Sequence, residues 1–200
     1  MYINYARREI TLKVVYYGPA LGGKTTNLIQ IHDHVAGNQR SELISLKTAE
    51  DRTLFFDFME VKLGSIVGLM PRVQLYTVPG QSRYEASRKL VLRGADGVVF
   101  VADSQISRQK ENLESWISMR QHLCGNGMEM SCFPIVVQLN KRDLPAAVSL
   151  QLFRRVMSVN GDYPIIEAVA LDGSGVRESL RLILERVVTR LRKEIPAARP

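Results

Sequence analysis

The stretch Gly18-Pro19-Ala20-Leu21-Gly22-Gly23-Lys24-Thr25 (GPALGGKT) decides the fold of this 200-residue chain. It fits the pattern G-x-x-x-x-G-K-[ST], in which backbone N–H groups of a glycine-rich loop bind phosphate oxygens. A β-branched and aromatic run over residues 12–17 precedes it, and apolar residues at helical spacing follow it. A strand, a loop and the first turn of a helix, in this order, bring N–H groups and the helix dipole to one point. The stretch therefore predicts an anion site. The alternative is a glycine-rich turn that matches the pattern by chance.

Individual positions of this loop have expected roles. Lys24 would contact the β- and γ-phosphates as a point charge, and the Thr25 hydroxyl would bind Mg²⁺. The other residues of the predicted phosphate-binding set are Gly18, Ala20, Leu21, Gly22, Gly23 and Thr26.

The composition is that of one ordinary globular domain, which we expect to span residues 1–200, since 46% of the residues are hydrophobic and 24% are charged. No apolar run approaches the length of a membrane span and no apolar signal region precedes the first strand, so we expect a cytoplasmic protein without a stable membrane anchor. Cys124 and Cys132 are too few for a disulfide framework and are interpreted as reduced thiols. The formal net charge of +7 suits a protein that binds anions, but no nucleic-acid-binding module is recognisable, so no nucleic acid partner is expected.

Strands and helices alternate along the chain. Residues 54–63 and 72–78 predict an antiparallel hairpin, and the polar residues 37–53 before them predict a long functional loop. The other predicted strands are residues 12–17, 97–102, 134–139 and 163–168, and the predicted helices are the one that begins near Thr25, residues 111–123 and residues 176–191. In the helix of residues 111–123 we expect the inward side chains to be Leu113, Trp116, Ile117 and Leu123. This order predicts an α/β fold with a doubly wound, mostly parallel sheet of about six strands and one antiparallel strand, in which ligands bind at the carboxyl ends of the parallel strands.

The run Asn140-Lys141-Arg142-Asp143 directly follows a predicted strand. With the P-loop at Gly18–Thr25, it resembles the N-K-x-D motif of small GTPases of the Ras superfamily, which reads the guanine base. The resemblance implies that Asp143 accepts hydrogen bonds from the base N1–H and 2-amino group, that Asn140 braces the loop, and that the Lys141 stem lies along the base. Adenine would leave the carboxylate unpaired, which gives strong discrimination. The alternative for Asp143 is a solvated turn residue.

Two further segments correspond less completely to the motifs of these GTPases. In Glu167-Ala168-Val169-Ala170, only Ala170 matches the S-A-K motif, and its backbone N–H would meet the base O6; Leu171 stands where that motif has lysine. In Thr77-Val78-Pro79-Gly80-Gln81, Gly80 would contact the γ-phosphate and Gln81 would orient the attacking water. Thr77 replaces the aspartate that usually holds Mg²⁺ through water.

The chain from about Ile3 to Leu191 resembles the bacterial gliding-motility MglA family of Ras-like small GTPases. The match depends most on residues 17–19, 52–58 and 75–81. The resemblance implies a P-loop NTPase fold of the Ras type and a GTP/GDP switch with Mg²⁺ that gathers at a cell pole and engages motility and polarity effectors. It implies a Roadblock-type, MglB-like activating partner that supplies no arginine, because the catalytic arginine acts in cis and maps onto Arg52. Thr53 maps onto the threonine that completes Mg²⁺ coordination in the GTP state.

Alternatives to a hydrolysing switch stay open. Ala20 stands where the family has glycine, so we expect slow hydrolysis. Together with Thr77, Ala20 also allows a protein that binds GTP as a scaffold and hardly hydrolyses it. An ATP-using P-loop kinase is opposed by residues 140–143, and the alternative for Arg52 is a surface charge at a strand start. His32 and His34 are two residues apart on a helix, which does not favour a metal site.

Overall fold

The computed structural model describes residues 2–47, 53–65, 68–80, 84–158 and 163–194. Its strands are β1 Tyr2–Asn4, β2 Glu9–Tyr17, β3 Ile44–Lys47, β4 Thr53–Lys62, β5 Met70–Thr77, β6 Gly97–Asp103, β7 Ile135–Asn140 and β8 Ile165–Glu167. Its helices are α1 Lys24–His34, α2 Glu85–Leu92, α3 Gln109–Gly125, α4 Leu150–Met157 and α5 Val176–Glu194. Strands and helices therefore alternate as the sequence predicts, although α2 and α4 were not among the predicted helices.

The strands form one sheet in the order β3-β4-β5-β2-β6-β7-β8, with β1 paired to β2. β2 runs parallel to β5 and β6, and β6, β7 and β8 are parallel to one another. β4 is antiparallel to β5, as expected for the predicted hairpin. The doubly wound α/β fold is thus confirmed.

The sheet has eight strands rather than six, because two short strands join the predicted ones. β1 has three residues and pairs antiparallel with β2, while β3 has four residues and pairs antiparallel with β4. β3 lies inside residues 37–53, so the prediction of a loop throughout that segment was wrong. Strands this short present too few side chains for a periodic pattern, and pairing with a longer neighbour stabilises them.

Helices cover both faces of the sheet. α1 and α5 pack on one face, where Leu28 and Ile183 meet Val14 and Tyr16 of β2. α2, α3 and α4 pack on the other face, which carries the alternate β2 side chains Val15 and Tyr17. The alternation of β2 side chains between two buried faces is why its sequence is a continuous apolar run rather than an alternating one.

On α3, three of the four predicted inward side chains are confirmed. Trp116 and Leu123 are buried and Leu113 packs against the same core, but Ile117 is 46% exposed, so that prediction was wrong. Met119 is buried instead. The spacing explains the difference, since residues 116, 119 and 123 follow one helical stripe while residue 117 is rotated about 100° from residue 116.

The parallel strands β2, β6, β7 and β8 end at the same edge of the sheet. The loops that follow β2 and β7 are the two motif-bearing segments of the sequence, and they are therefore neighbours. Within the described residues, no helix combines the length and apolar composition that crossing a membrane requires.

Candidate functional site

The P-loop connects β2, which ends at Tyr17, to α1, which begins at Lys24. Gly23 caps the helix in a left-handed conformation, with φ 100° and ψ 18°. A Cβ at this position would also lie 2.2 Å from the Asn140 side-chain nitrogen, so only glycine fits. The first turn of α1 therefore begins directly at the loop, and the N–H groups of a helix start are the donors of many anion sites.

The side chain of Lys24, the first residue of α1, is buried against the P-loop. Its ammonium donates hydrogen bonds to the carbonyl oxygens of Gly18, at 3.1 Å, and Pro19, at 2.7 Å. Burial lowers the pKa of Lys24 to about 7, although the nearby Asp57 carboxylate opposes the shift. Two neutral carbonyls compensate only part of the cost of burying this charge, and the negative charge of a phosphate group would compensate more of it.

A buried carboxylate lies beside Thr25. Asp57 of β4 accepts hydrogen bonds from the hydroxyls of Thr25, at 2.5 Å, and Thr77, at 2.7 Å, and a third from Ser45. The Asp57 backbone N–H donates to the Thr77 hydroxyl at 2.8 Å. A carboxylate surrounded by hydroxyl oxygens is a set of hard donors that suits Mg²⁺, so the residues present fit the metal that the sequence predicts.

Sequence reasoning noticed that Thr77 lacks a carboxylate but did not find Asp57. The signal was present in the predicted hairpin, because Asp57 shares a face of β4 with the buried Met59 and Val61. In the observed register Phe58 pairs with Tyr76, which places Asp57 opposite Thr77. A lone carboxylate on the inward face of a strand would have indicated a functional group.

Gly80 lies against the P-loop. A Cβ on Gly80 would come within 2.4 Å of the Ala20 Cα and 2.8 Å of the Lys24 ammonium. The structure thus brings together Gly80 and Lys24, which the sequence assigned to the terminal phosphates, and Ala20 of the predicted phosphate-binding set.

Other predicted groups cannot be placed. Arg52 and Gln81 lie outside the described residues, and so does the side chain of Thr53, whose backbone begins β4.

Asn140 joins three loops of the site. Its side-chain nitrogen donates to the Gly22 carbonyl and its side-chain oxygen accepts from the Ala170 backbone N–H, both at 2.8 Å. The side chain is buried, so these bonds form away from solvent. The Ala170 N–H, which the resemblance assigns to the base O6, is engaged by Asn140, and a base oxygen would have to share it.

A pocket of about 160 Å³ opens between the P-loop and the loop after β7. Its lining comes from the P-loop, α1 and the segments that follow β7 and β8: Leu21, Gly23, Thr26, Asn140, Lys141, Asp143, Leu144, Val169, Ala170 and Leu171. In the described parts of the chain, no protein group hydrogen-bonds the exposed Asp143 carboxylate. This leaves an acceptor available at the rim of a largely apolar pocket.

Lys141 is fixed beside this pocket. Its backbone is left-handed, with φ 64°, and its ammonium pairs with the buried carboxylate of Asp103 at 2.7 Å. The stem therefore runs along the pocket wall while the charge is held at Asp103. Leu171, which also lines the pocket and stands where the motif has lysine, is 77% exposed.

The two histidines of α1 do not converge. His32 contacts Asp33 and His34 contacts the Gln30 carbonyl. Across the described ranges, no cluster of three or more His, Cys, Asp or Glu side chains could hold a metal ion. Cys124 and Cys132 are both exposed free thiols.

Comparison with known proteins gives one family. A sequence model of the Ras family matches residues 13–189. The chain is 50% identical over 192 residues to the mutual gliding-motility protein MglA of Myxococcus xanthus, covering 96% of this chain and 98% of that protein. It is 27% identical to the Ras-related protein Rab7 of Pisum sativum, covering 89% and 82% of the two chains, and 26% identical to RABG3c of Arabidopsis thaliana, covering 92% and 85%.

Proposed function

Because this chain belongs to the MglA-like branch of the Ras family of small GTPases, we propose that it is a switch that binds GTP and GDP with Mg²⁺ and hydrolyses GTP to GDP and phosphate. The observation that carries this proposal is the side chain of Asn140. It hydrogen-bonds the P-loop at Gly22 and the segment after β8 at Ala170, so the phosphate loop and the base loop form one site.

Guanine selection is assigned to Asp143. Its carboxylate lies at the rim of the pocket without a protein partner among the described residues, and it would pair with the two neighbouring donors of guanine. Adenine offers no such donor pair, and its binding would leave a desolvated carboxylate unpaired. This argument favours GTP over ATP as the substrate.

Phosphate binding is assigned to the loop from Gly18 to Thr26. Its backbone N–H groups and the Lys24 ammonium would hold the phosphates, with the Lys24 charge released from the carbonyls of Gly18 and Pro19. Gly80 would add a backbone N–H at the terminal phosphate, since it lies against Ala20.

Thr25, Asp57 and Thr53 are the groups that would hold Mg²⁺. Thr77 stands where related GTPases have an aspartate, and Asp57 would take over the role of that aspartate. Its carboxylate reaches the Thr25 hydroxyl from the adjacent strand. The ion would supply neutralising charge to the phosphates when it is bound. Thr77 keeps the Asp57 carboxylate in position through its hydroxyl.

Hydrolysis is assigned to Arg52 and Gln81 on the strength of the family resemblance. Arg52 would offset charge that develops during phosphoryl transfer, and Gln81 would orient the attacking water. A Roadblock-type partner would accelerate this step by positioning Arg52 and Gln81 without contributing an arginine.

The cellular role that we infer is a polarity switch for gliding motility. The Myxococcus xanthus relative is named for mutual gliding motility, and the two chains align over almost their full lengths. In this role the GTP state is recruited to a cell pole from the cytoplasm and binds motility effectors, and hydrolysis releases them.

A GTP-binding scaffold with little turnover is the second candidate. Ala20 favours it, since Gly80 packs against the Ala20 backbone and a methyl group at this position would crowd the catalytic side chains that must arrive there. Displacements of about 1 Å at such a point cost on the order of 10²-fold in rate.

Titration of the purified chain with fluorescent GTP, GDP and ATP, followed by phosphate release with and without a Roadblock-type partner, tests the proposal. We expect Mg²⁺-dependent binding of GTP and GDP, weak binding of ATP and partner-stimulated phosphate release. Lys24→Ala should lose nucleotide binding, whereas Lys110→Ala, which removes an exposed lysine of α3, should not. Equal affinity for ATP and GTP would refute the guanine assignment, and GTP binding without phosphate release under either condition would establish the scaffold.

A further inference from the structure

Arg108 reaches the P-loop from a distant part of the chain. It ends a short 3₁₀ turn, Ile106–Arg108, and immediately precedes α3. One guanidinium nitrogen donates to the Ala20 carbonyl at 3.0 Å and another donates to the Glu111 carboxylate at 2.7 Å. The side chain is only 27% exposed, so both bonds form in partly desolvated surroundings.

The hydrogen bond to Ala20 sets the direction of the next backbone donor. A trans peptide is planar, and its C=O and N–H point in opposite directions. No cis peptide bond occurs in the described residues, so a carbonyl of Ala20 directed at Arg108 turns the Leu21 N–H away from Arg108. In the part of the chain that the structure describes, that N–H has no backbone or side-chain acceptor.

Leu21 has a conformation that its own side chain does not favour. Its φ is 61°, in the left-handed region that bulky residues rarely adopt. The side chain is 63% exposed, so burial of apolar surface does not compensate for the unfavourable backbone. A contact from outside must hold the peptide, and Arg108 makes that contact. Successive N–H groups around left-handed residues form concave sites for anions.

We propose that Arg108 is a positioning residue that holds the Ala20–Leu21 peptide with its N–H directed at the terminal phosphates of the bound nucleotide. This inference rests on the proposed binding of guanine nucleotides. The N–H belongs to the end of the loop where Ala20 meets Gly80, which is the end assigned to the β- and γ-phosphates. Arg108 itself contacts no nucleotide atom in this proposal and acts through the peptide.

A purely helix-stabilising role for Arg108 would have different consequences. Its ion pair with Glu111 is of the i, i+3 type, and exposed pairs of this kind contribute little to stability. Lys110 and Glu114 form a comparable pair two residues further along α3, at 3.9 Å, without touching the P-loop. Lys110→Ala is therefore a control that removes a positive charge two residues away, in the first turn of α3.

The test compares Arg108→Ala, Arg108→Lys and Lys110→Ala with the wild type in titrations with GDP and GMP and in single-turnover hydrolysis of GTP. Loss of an oriented donor to a charged group weakens binding on the order of tenfold or more. We expect Arg108→Ala to weaken GDP binding by that factor and to slow hydrolysis, while GMP binding stays within about twofold because GMP lacks the terminal phosphates. Arg108→Lys should restore part of the GDP affinity, since its ammonium keeps a donor for the Ala20 carbonyl, and Lys110→Ala should behave as the wild type.

Several outcomes would overturn the inference. One is unchanged GDP affinity in Arg108→Ala; another is an equal loss for GDP and GMP, which would indicate general loosening of the site. If Arg108→Ala does not fold, Arg108→Lys provides the test. Wild-type affinity of Arg108→Lys for both GDP and GMP would then reject the role of the guanidinium. A wild-type chain that binds neither nucleotide would instead refute the proposed function.

Discussion

Asp57 and Thr77 face each other across the antiparallel pair of β4 and β5, and the Thr77 hydroxyl donates to the Asp57 carboxylate at 2.7 Å. The same hydroxyl accepts from the Asp57 backbone N–H at 2.8 Å. The carboxylate expected on β5 is thus supplied by Asp57 of the neighbouring strand β4. Thr77, which occupies the expected position on β5, hydrogen-bonds that carboxylate. Both residues are fully buried, so neither bond competes with solvent.

Asp57→Asn should reduce the effect of Mg²⁺ on nucleotide affinity. The variant keeps the shape of the side chain but loses the negative charge that suits a hard cation. Loss of a group that supports a metal commonly costs about 10–100-fold in metal affinity. The measurement is GDP release with Mg²⁺ and with a chelator. The exchange Asp57→Thr with Thr77→Asp should restore the Mg²⁺ effect, and a normal Mg²⁺ effect in Asp57→Asn would contradict the assignment.

Asp143→Asn should change the preferred base. An amide cannot accept from both donors of guanine, whereas xanthine presents a complementary pattern. We expect GTP affinity to fall at least ~10²-fold and xanthosine triphosphate to bind better than GTP. Competition between the two nucleotides provides the readout. A matched substitution in the same loop, Arg142→Gln, removes a pair with Glu167 and should leave the preference for guanine intact.

Ala20→Gly should accelerate partner-stimulated hydrolysis. The change removes the methyl group of Ala20, whose backbone lies against Gly80, but leaves the N–H groups of the loop in place, so affinity should be unchanged. The increase can reach ~10²-fold if the methyl displaces the catalytic groups by about 1 Å. Single-turnover rates of both forms with a Roadblock-type partner decide the question. Rates that agree within error would mean that Ala20 is neutral.

Arg52→Ala and Gln81→Ala should abolish stimulated hydrolysis while GTP affinity stays near that of the wild type. A positioned arginine in this chemistry contributes roughly 10³–10⁵ in rate, and its effect is confined to the transition state. The experiment compares nucleotide affinity and hydrolysis for each variant. Parallel losses in both quantities would show that these residues support the structure rather than the reaction.

The stability of the fold should fall as the pH drops below about 6.5, partly through His122. Burial lowers the pKa of His122, and the Arg88 and Lys89 charges of α2 act in the same direction, while Glu85 of α2 opposes them. Tyr17 of β2 contacts the other ring nitrogen at 3.3 Å. The unfolded chain then binds a proton near pH 6.5 that the folded chain does not, so the free energy of unfolding rises with pH up to that point.

Urea unfolding between pH 5 and 7.5 checks this dependence. His122→Gln should flatten the curve relative to the wild type, and the control His34→Gln, which removes an exposed histidine of α1, should keep the wild-type slope. An identical pH dependence in wild type and His122→Gln would contradict the prediction.

The contiguous parts of the site could be predicted from the sequence. The P-loop and residues 140–143 are short motifs whose chemistry depends on neighbours in the chain, and each follows an apolar strand. Because parallel strands end at one edge of a sheet, the alternation of strands and helices was enough to predict that both loops meet. The fold class followed from the same alternation.

Groups that act across the fold could not be predicted in this way. Asp57 reaches Thr25 only through the register of β4 against β5, and Arg108 reaches Ala20 over 88 residues of sequence. The inward-facing carboxylate of Asp57 was a local signal that a group acts there, but the partner in each of these contacts has no local pattern. Ile117 is a failure of a different kind, since its position one residue off the helical stripe could have been read from the local spacing.

The two bonds of Asn140 also determine when the site can exist during synthesis. Gly22 and Asn140 are separated by 118 residues and Asn140 and Ala170 by 30. A nascent chain therefore cannot form both bonds until Ala170 has left the ribosome, so one side chain joins the P-loop to the segment after β8 only once synthesis has passed β8.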